Sequence, residues 1–326
     1  MKIEPLVSVI VAVSVNEETI YGCIESIMNQ SYRNLEIILV VDYAFDRISI
    51  ICENLSMMDS RIRIVSFTSD KNKNDDLEIA AYYEGLRYAL GTYVTFVDSN
   101  DRLHYDMIRS LTGICIKHKC QIACCKTDLR KKNKPLCYTK TGKVRIYKKN
   151  GAFLSRKFSN DLYGKLFDIA LFEELSRSDF CFYPLYYRAD RISMVDRYMY
   201  YRHTENRFEC YIKLRFDAVI KYYKDRIRYF RKKDRNLLEL SHEYYCDFLA
   251  DYYIHLLKSR EEVYGLEKIY LEFRKEFCYV RYSAVTPVYT KLRLGLLYYV
   301  PKLYGSVLAH LCIDRERIII KKLKRL

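Results

Sequence analysis

The chain has 326 residues, half of them hydrophobic, with 10 Gly and 5 Pro. That length allows one large domain or two smaller ones, and the scarcity of Gly and Pro excludes a linker-rich or low-complexity protein. The formal net charge of +15 suits anionic lipid or phosphorylated substrates. Its basic residues are dispersed over helical patterns without an RNA- or DNA-binding motif, so nucleic acid is not an expected partner.

Taken in order, Val7–Val13 is a near-continuous apolar run of strand length, as a strand buried on both faces requires. Asn16 then stands as an N-cap with Glu17 and Glu18 behind it, and Ile20, Cys23, Ile24, Ile27 and Met28 recur at helical spacing. Leu35–Val41 predicts a second buried strand ending at Asp42, Ile48–Met57 a helix and Arg61–Val65 a third strand. A polar loop, Ser69–Asp76, leads to a helix over Leu77–Leu90, with Gly91 as its C′ residue. Strand alternating with helix at these lengths predicts a mostly parallel sheet with right-handed crossovers.

Tyr93–Val97 is apolar and β-prone, and it turns polar at once through Asp98, Ser99, Asn100 and Asp101. A buried strand that delivers carboxylates to its C-terminal edge is where open α/β sheets bind ligands. The hard oxygens of Asp98, Asn100 and Asp101 suit a divalent cation meeting a diphosphate.

Beyond it, Tyr105–Lys119 predicts a helix, Gln121–Asp128 a strand and Lys131–Lys143 an exposed loop or hairpin. Phe153–Leu175 reads as helical with a polar break near Ser159 and Asn160. Arg191–Val195 and Tyr198–His203 read as two short strands that pair with one another. From Glu209 to Phe277 the pattern is helical throughout, in a field of Lys, Arg and Tyr, and predicts two or three amphipathic helices. The last segments, Lys291–Val300, Leu303–Cys312 and Ile318–Leu326, join apolar faces to many cations and suit an anionic membrane interface.

The twelve Cys show no paired zinc spacing, and Cys124 and Cys125 read as small hydrophobes in a buried strand. Met1–Pro5 passes straight into a strand pattern, so no leader is expected, and free thiols in a reducing cytoplasmic setting are. No apolar run is long enough to span a bilayer.

Cys23–Tyr32, Leu35–Asp42, Gly91–Asp98 and Tyr200–Arg202, in that order, resemble glycosyltransferase family 2, the inverting nucleotide-sugar transferases of GT-A fold. The resemblance covers about Pro5 to Asn206. It implies an α/β GT-A domain over 1–207, and the residue patterns beyond it read as a helical extension over 208–280 and a basic membrane-associating segment over 281–326.

The resemblance further implies a nucleotide-diphospho-sugar donor, a UDP-sugar above all, lying across the strand edges near Val13, Ser14, Asp42 and Asp98. It implies Mg²⁺ or Mn²⁺ in a weakened site at Asp98, Asn100 and Asp101. Asp179 is the implied base, and Lys165, Arg202 and His203 lie on the acceptor side. The acceptor would be a polysaccharide or a lipid-linked intermediate, and the protein would sit peripherally at the inner face of the cell membrane.

The sequence departs from the family at Val41 and Asn100, where carboxylates are usual, and at Tyr82, where Arg is usual. The alternative expectation is therefore a catalytically silent domain of the same fold, serving as scaffold or partner of an active transferase.

Overall fold

The computed structural model describes residues 4–13, 17–42, 46–68, 77–130, 142–155, 158, 161–176, 180–203, 208–259, 263–301 and 304. Two compact units are present, Met1–Asn206 and Arg207–Leu326.

In the first unit β1 (Val7–Ala12), β2 (Leu35–Asp42), β3 (Ile62–Phe67) and β4 (Tyr93–Asp98) run parallel in the order β3-β2-β1-β4. Helices α1 (Glu17–Met28), α2 (Asp46–Met58) and α3 (Leu77–Leu86) alternate with these strands in the chain. Val9, Ile10, Val11, Ile37, Ile38, Leu39, Val94, Phe96 and Val97 are all buried, as strands covered on both faces must be. Gly85 lets α3 lie close to the sheet, since a Cβ there would stand 2.5 Å from Ile10 and 2.8 Å from Val40.

Helix α3 stops four residues short of the expected Leu90. The N–H groups of Arg87, Tyr88 and Ala89 donate to carbonyls three residues back, which tightens the winding and ends it. Gly91 is not the C′ residue. It lies against Ser8 and the Leu6 carbonyl, where a Cβ would fall within 2.9 Å of three atoms, and its N–H donates to Ser8 Oγ.

Past β4 come β5 (Arg102–Leu103), α4 (Met107–His118) and β6 (Ile122–Arg130), then β7 (Val144–Lys148) and α5 (Lys149–Leu154). The left-handed Lys119 (φ 52) closes α4. Lys131–Lys143, expected as loop or hairpin, lies almost wholly outside the described residues.

The expected helix over Phe153–Leu175 is a correction. Among the described residues of that span, only the end of α5 is α-helical. Leu162 and Tyr163 lead into strand β8 (Lys165–Asp168), and a 3₁₀ turn follows at Ile169–Phe172. β8 bridges β4 and β6, antiparallel to both. A short apolar run reads equally as buried helix or buried strand, and sheet pairing decided it.

The two short strands expected after Arg191 are one strand, β9 (Arg191–His203), preceded by an unforeseen α6 (Phe182–Arg188). β9 runs parallel to β6 with register shifts near Lys126. On its other side it holds β7 at one end and β5 at the other.

The second unit contains α7 (Phe208–Phe230), α8 (Arg235–Ser259), α9 (Val263–Val280) and α10 (Val288–Tyr299). Its core gives the abundant Tyr a role. Tyr223, Tyr245, Tyr252 and Tyr253 are buried there, with Tyr223 stacked on Tyr245 at 5.4 Å. The Tyr245 hydroxyl donates to Glu272 (3.1 Å) and that of Tyr270 to the Tyr298 carbonyl (2.9 Å), so these rings fill the core with their polar ends satisfied. No disulfide forms among the described side chains, and Cys124 and Cys125 are buried in β6. No helix among the described residues is long and apolar enough to cross a membrane.

Candidate active site

Three parallel strands end together. Ala12 pairs with Asp98 on one side and with Val40 on the other, and Asp42 lies two residues beyond Val40. With neighbouring strands about 4.8 Å apart and about 3.3 Å per residue, Asp42 and Asp98 stand about 10 Å apart across the sheet and about 7 Å apart along it. Val13 continues β1 between them, its N–H donating to the Val40 carbonyl (3.0 Å). Asp42, Asp98 and Val13 are half-buried, which leaves an accessible edge with a carboxylate on each side. Ser14 lies outside the described residues, as does Tyr43.

Asp98 organises the turn that follows it. Its Oδ1 accepts the backbone N–H of Asn100 (2.9 Å) and the Asn100 Nδ2 (2.8 Å), an Asx turn. The Asp98 carbonyl accepts the N–H of Asp101 (2.9 Å), and the Asp98 N–H donates to the Tyr200 hydroxyl (3.2 Å). Asn100 Oδ1 accepts the hydroxyl of Thr19 at the start of α1 (2.7 Å).

Asp101 points inward. It is buried, and its Oδ1 accepts the backbone N–H of His203 (2.8 Å). Arg202 lies 3.9 Å from its Oδ2 and 3.6 Å from Asp161, and Asp161 holds buried Lys165 at 2.8 Å. Asp101, Arg202, Asp161 and Lys165 thus form an interior chain of two carboxylates and two cations. Burial disfavours the Arg202 charge, but Asp161 and Asp101 overcome that and raise its pKa. The guanidinium also lies 4.6 Å from the centre of the Tyr163 ring. Lys165 and Arg202, expected on the acceptor side, are therefore interior ion-pair partners, while His203 is half-buried at the end of β9.

Burial and the neighbouring Asp98 push the Asp101 carboxyl up to about 7, against the pull of Arg202, the His203 N–H and the Tyr200 hydroxyl. The folded pKa lies above the unfolded one, so between about pH 4 and pH 7 the folded state keeps a proton that the unfolded chain has released. Raising the pH through that window removes stability, by up to about 1.4 kcal/mol per unit. Asp101→Asn keeps an acceptor for His203 without the titration. Its stability relative to the native protein is expected to rise from pH 4 to pH 7 and then level off, which urea unfolding at a series of pH values would measure.

The donor set does not fit a resident cation. Of the three expected ligands, Asn100 offers a neutral oxygen already turned to Thr19, Asp101 is committed to the interior, and Asp98 keeps a carboxylate at the edge. Among the described residues no group of three or more His, Cys, Asp or Glu gathers to hold a metal. Val41 is buried, and Tyr82 is core, packed on Phe96 (5.1 Å) with its hydroxyl donating to Glu78 (3.0 Å). Asp179 lies outside the described residues.

Sequence reasoning missed Thr19, Asp161 and the part played by Tyr200. Only Tyr200 carried a signal: the two-residue period of a strand puts Tyr200 and Arg202 on one face, toward Asp98 and Asp101.

The pattern of Glycosyl transferase family 2 matches residues 8–175. Glycosyltransferase GlyA of Streptococcus pneumoniae is 35% identical over 123 residues, 38% of this chain and 17% of that protein. Glycosyltransferase GlyG of the same organism is 36% identical over 106 residues, 32% of this chain and 34% of that protein. The UDP-Glc:alpha-D-GlcNAc-diphosphoundecaprenol beta-1,3-glucosyltransferase WfaP of Escherichia coli is 35% identical over 96 residues, 29% of this chain and 36% of that protein. The matched segment thus spans about a third or less of each relative's length.

Among solved structures, residues 1–349 of TarS from S. aureus, in complex with UDP-GlcNAc, align with a TM-score of 0.59 at 16% identity, covering 98% of this chain and 91% of that one. The mannosyltransferase PcManGT of Pyrobaculum calidifontis, with GDP-Man and Mn²⁺, aligns with a TM-score of 0.51 at 12% identity, covering 99% of this chain and 85% of that one. At these identities the likeness is one of fold.

Proposed function

The chain belongs to Glycosyl transferase family 2, and from that premise we propose that it moves a sugar from a nucleotide-diphospho-sugar to a polysaccharide or lipid-linked acceptor, with inversion. The observation that carries the reading is the shared edge of β1, β2 and β4, with Asp42 and Asp98 flanking Val13. A nucleotide laid along that edge would meet Asp42 at its base and Asp98 at its ribose. UDP is the favoured nucleotide, since WfaP is named for UDP-Glc and the TarS structure holds UDP-GlcNAc.

In the transfer, the acceptor hydroxyl attacks the anomeric carbon from the side opposite the diphosphate. The new C–O bond forms as the bond to the diphosphate breaks, the electron pair leaves with the diphosphate, and the proton passes to a carboxylate. Asp179 is the proposed carboxylate. The Mg²⁺ or Mn²⁺ that accompanies such donors is proposed to arrive with the diphosphate, as part of the substrate. Attachment at the inner face of the cell membrane would bring the protein to a lipid-borne acceptor.

A scaffold without activity is the second reading, favoured by Asn100 and by the inward turn of Asp101. Calorimetric titration with UDP, with and without Mn²⁺, tests the first. UDP binding is the expected result, and a folded protein that binds no nucleotide diphosphate would overturn it. Asn100→Asp restores a carboxylate beside Asp98 and is expected to tighten Mn²⁺-dependent UDP binding at least about fivefold, because charged oxygens hold hard cations better than neutral ones.

A further inference from the structure

We propose that the outward face of α10 inserts into the surface of an anionic lipid bilayer. This rests on the reading of a membrane-borne acceptor and names the surface that would reach it.

Helix α10 turns Thr290, Leu294 and Leu297 inward, and Leu294 and Leu297 join the core of the helical unit. On its other side Val288, Tyr289, Leu292 and Tyr299 are 71%, 69%, 70% and 70% exposed. At 100° per residue, Val288, Leu292 and Tyr299 fall in one line and Tyr289 lies beside it, so the four share an arc of about 100°. Single exposed apolar residues are ordinary, whereas a row of large ones along a helix is a surface with an occupant. Exposed Tyr282 lies just before the helix in the chain, and Val300 follows its last residue. Tyr combines an apolar ring with a polar tip, which suits the boundary between lipid and water.

Charge selects the occupant. From residue 281 to 301 the chain holds Arg281, Lys291 and Arg293 and no Asp or Glu. Lys291 flanks the apolar row, whereas Arg293 is engaged with Asp247 and Asp251. A second copy would bring the same positive field face to face with itself, which opposes pairing. Anionic headgroups complement that field and accept the apolar side chains beneath it.

The test is co-sedimentation of the full chain with vesicles made of equal parts phosphatidylglycerol and phosphatidylcholine. The native protein is expected to bind, and to lose binding on pure phosphatidylcholine or at high salt. Leu292→Glu and Val288→Glu, both at exposed positions, are each expected to weaken binding at least about tenfold while circular dichroism stays unchanged. Variants that sediment like the native protein would overturn the proposal. So would a native dimer that Leu292→Glu converts to monomer, since the face would then serve a second copy. UDP binding, measured on the same samples, keeps this test separate from that of the transferase reading: lost vesicle binding with UDP binding intact counts only on the membrane surface.

Discussion

Replacing Asp98 by Ala is expected to lower product formation at least about 100-fold, equivalent to about 2.7 kcal/mol of transition-state stabilisation. Asp98 is the carboxylate at the edge where β4 ends, half-buried and paired in register with the end of β1. Its Oδ1 also holds the Asn100 turn through two hydrogen bonds, so Ala removes a charge toward the donor and the support of the turn together. Asp98→Asn separates the two: an amide oxygen can still accept from Asn100, but it carries no charge. The Asn variant is expected to melt close to the native protein and to bind UDP at least about tenfold more weakly, because charge-assisted hydrogen bonds are about twice as strong as neutral ones. Wild-type product formation in cells carrying Asp98→Ala would instead favour the silent scaffold, with the product made by its active partner.

Arg202→Met is expected to cost about 3–5 kcal/mol of stability, read from urea midpoints. Arg202 lies between the buried carboxylates of Asp101 and Asp161, and removing it leaves Lys165 as the only other cation in that chain. The loss comes from buried charge without a partner, more than from the worth of the pair itself. Its pH dependence identifies the cause. Without Arg202, which lowers it, the Asp101 carboxyl titrates above about 7, so the penalty is expected to shrink as the pH is lowered from about 9 to about 7 and to level off below, where Asp101 is protonated in both proteins. A loss of the same size at every pH would mean that packing against the Tyr163 ring, not charge, is what the substitution removes.

The parallel half of the sheet was legible because its strands are buried on both faces and read as continuous apolar runs: Val7–Ala12, Leu35–Asp42 and Tyr93–Asp98 fall within a residue or two of the expected bounds. The other half was not. β8 is four residues long, and its burial comes from two antiparallel neighbours distant in sequence, so local periodicity made it helix. β9 carries polar residues near its middle, at Asp196 and Arg197, which read as a break but stand where its pairing with β6 shifts register. At the site, the position of Asp98 followed from a strand ending in acids. The inward turn of Asp101 could not, because it depends on Arg202 and the His203 N–H, about a hundred residues away. Likewise the ion pair of Lys165, expected on the acceptor side, with Asp161 depends on a carboxylate whose part the sequence did not signal.

A crystal structure of the chain soaked with UDP and Mn²⁺ tests the central claim most directly. The account predicts the uracil beside Asp42 at the end of β2, the ribose at Asp98 and the diphosphate over Val13. UDP bound away from that edge, or an edge left bare by a crystal saturated with UDP, would contradict it.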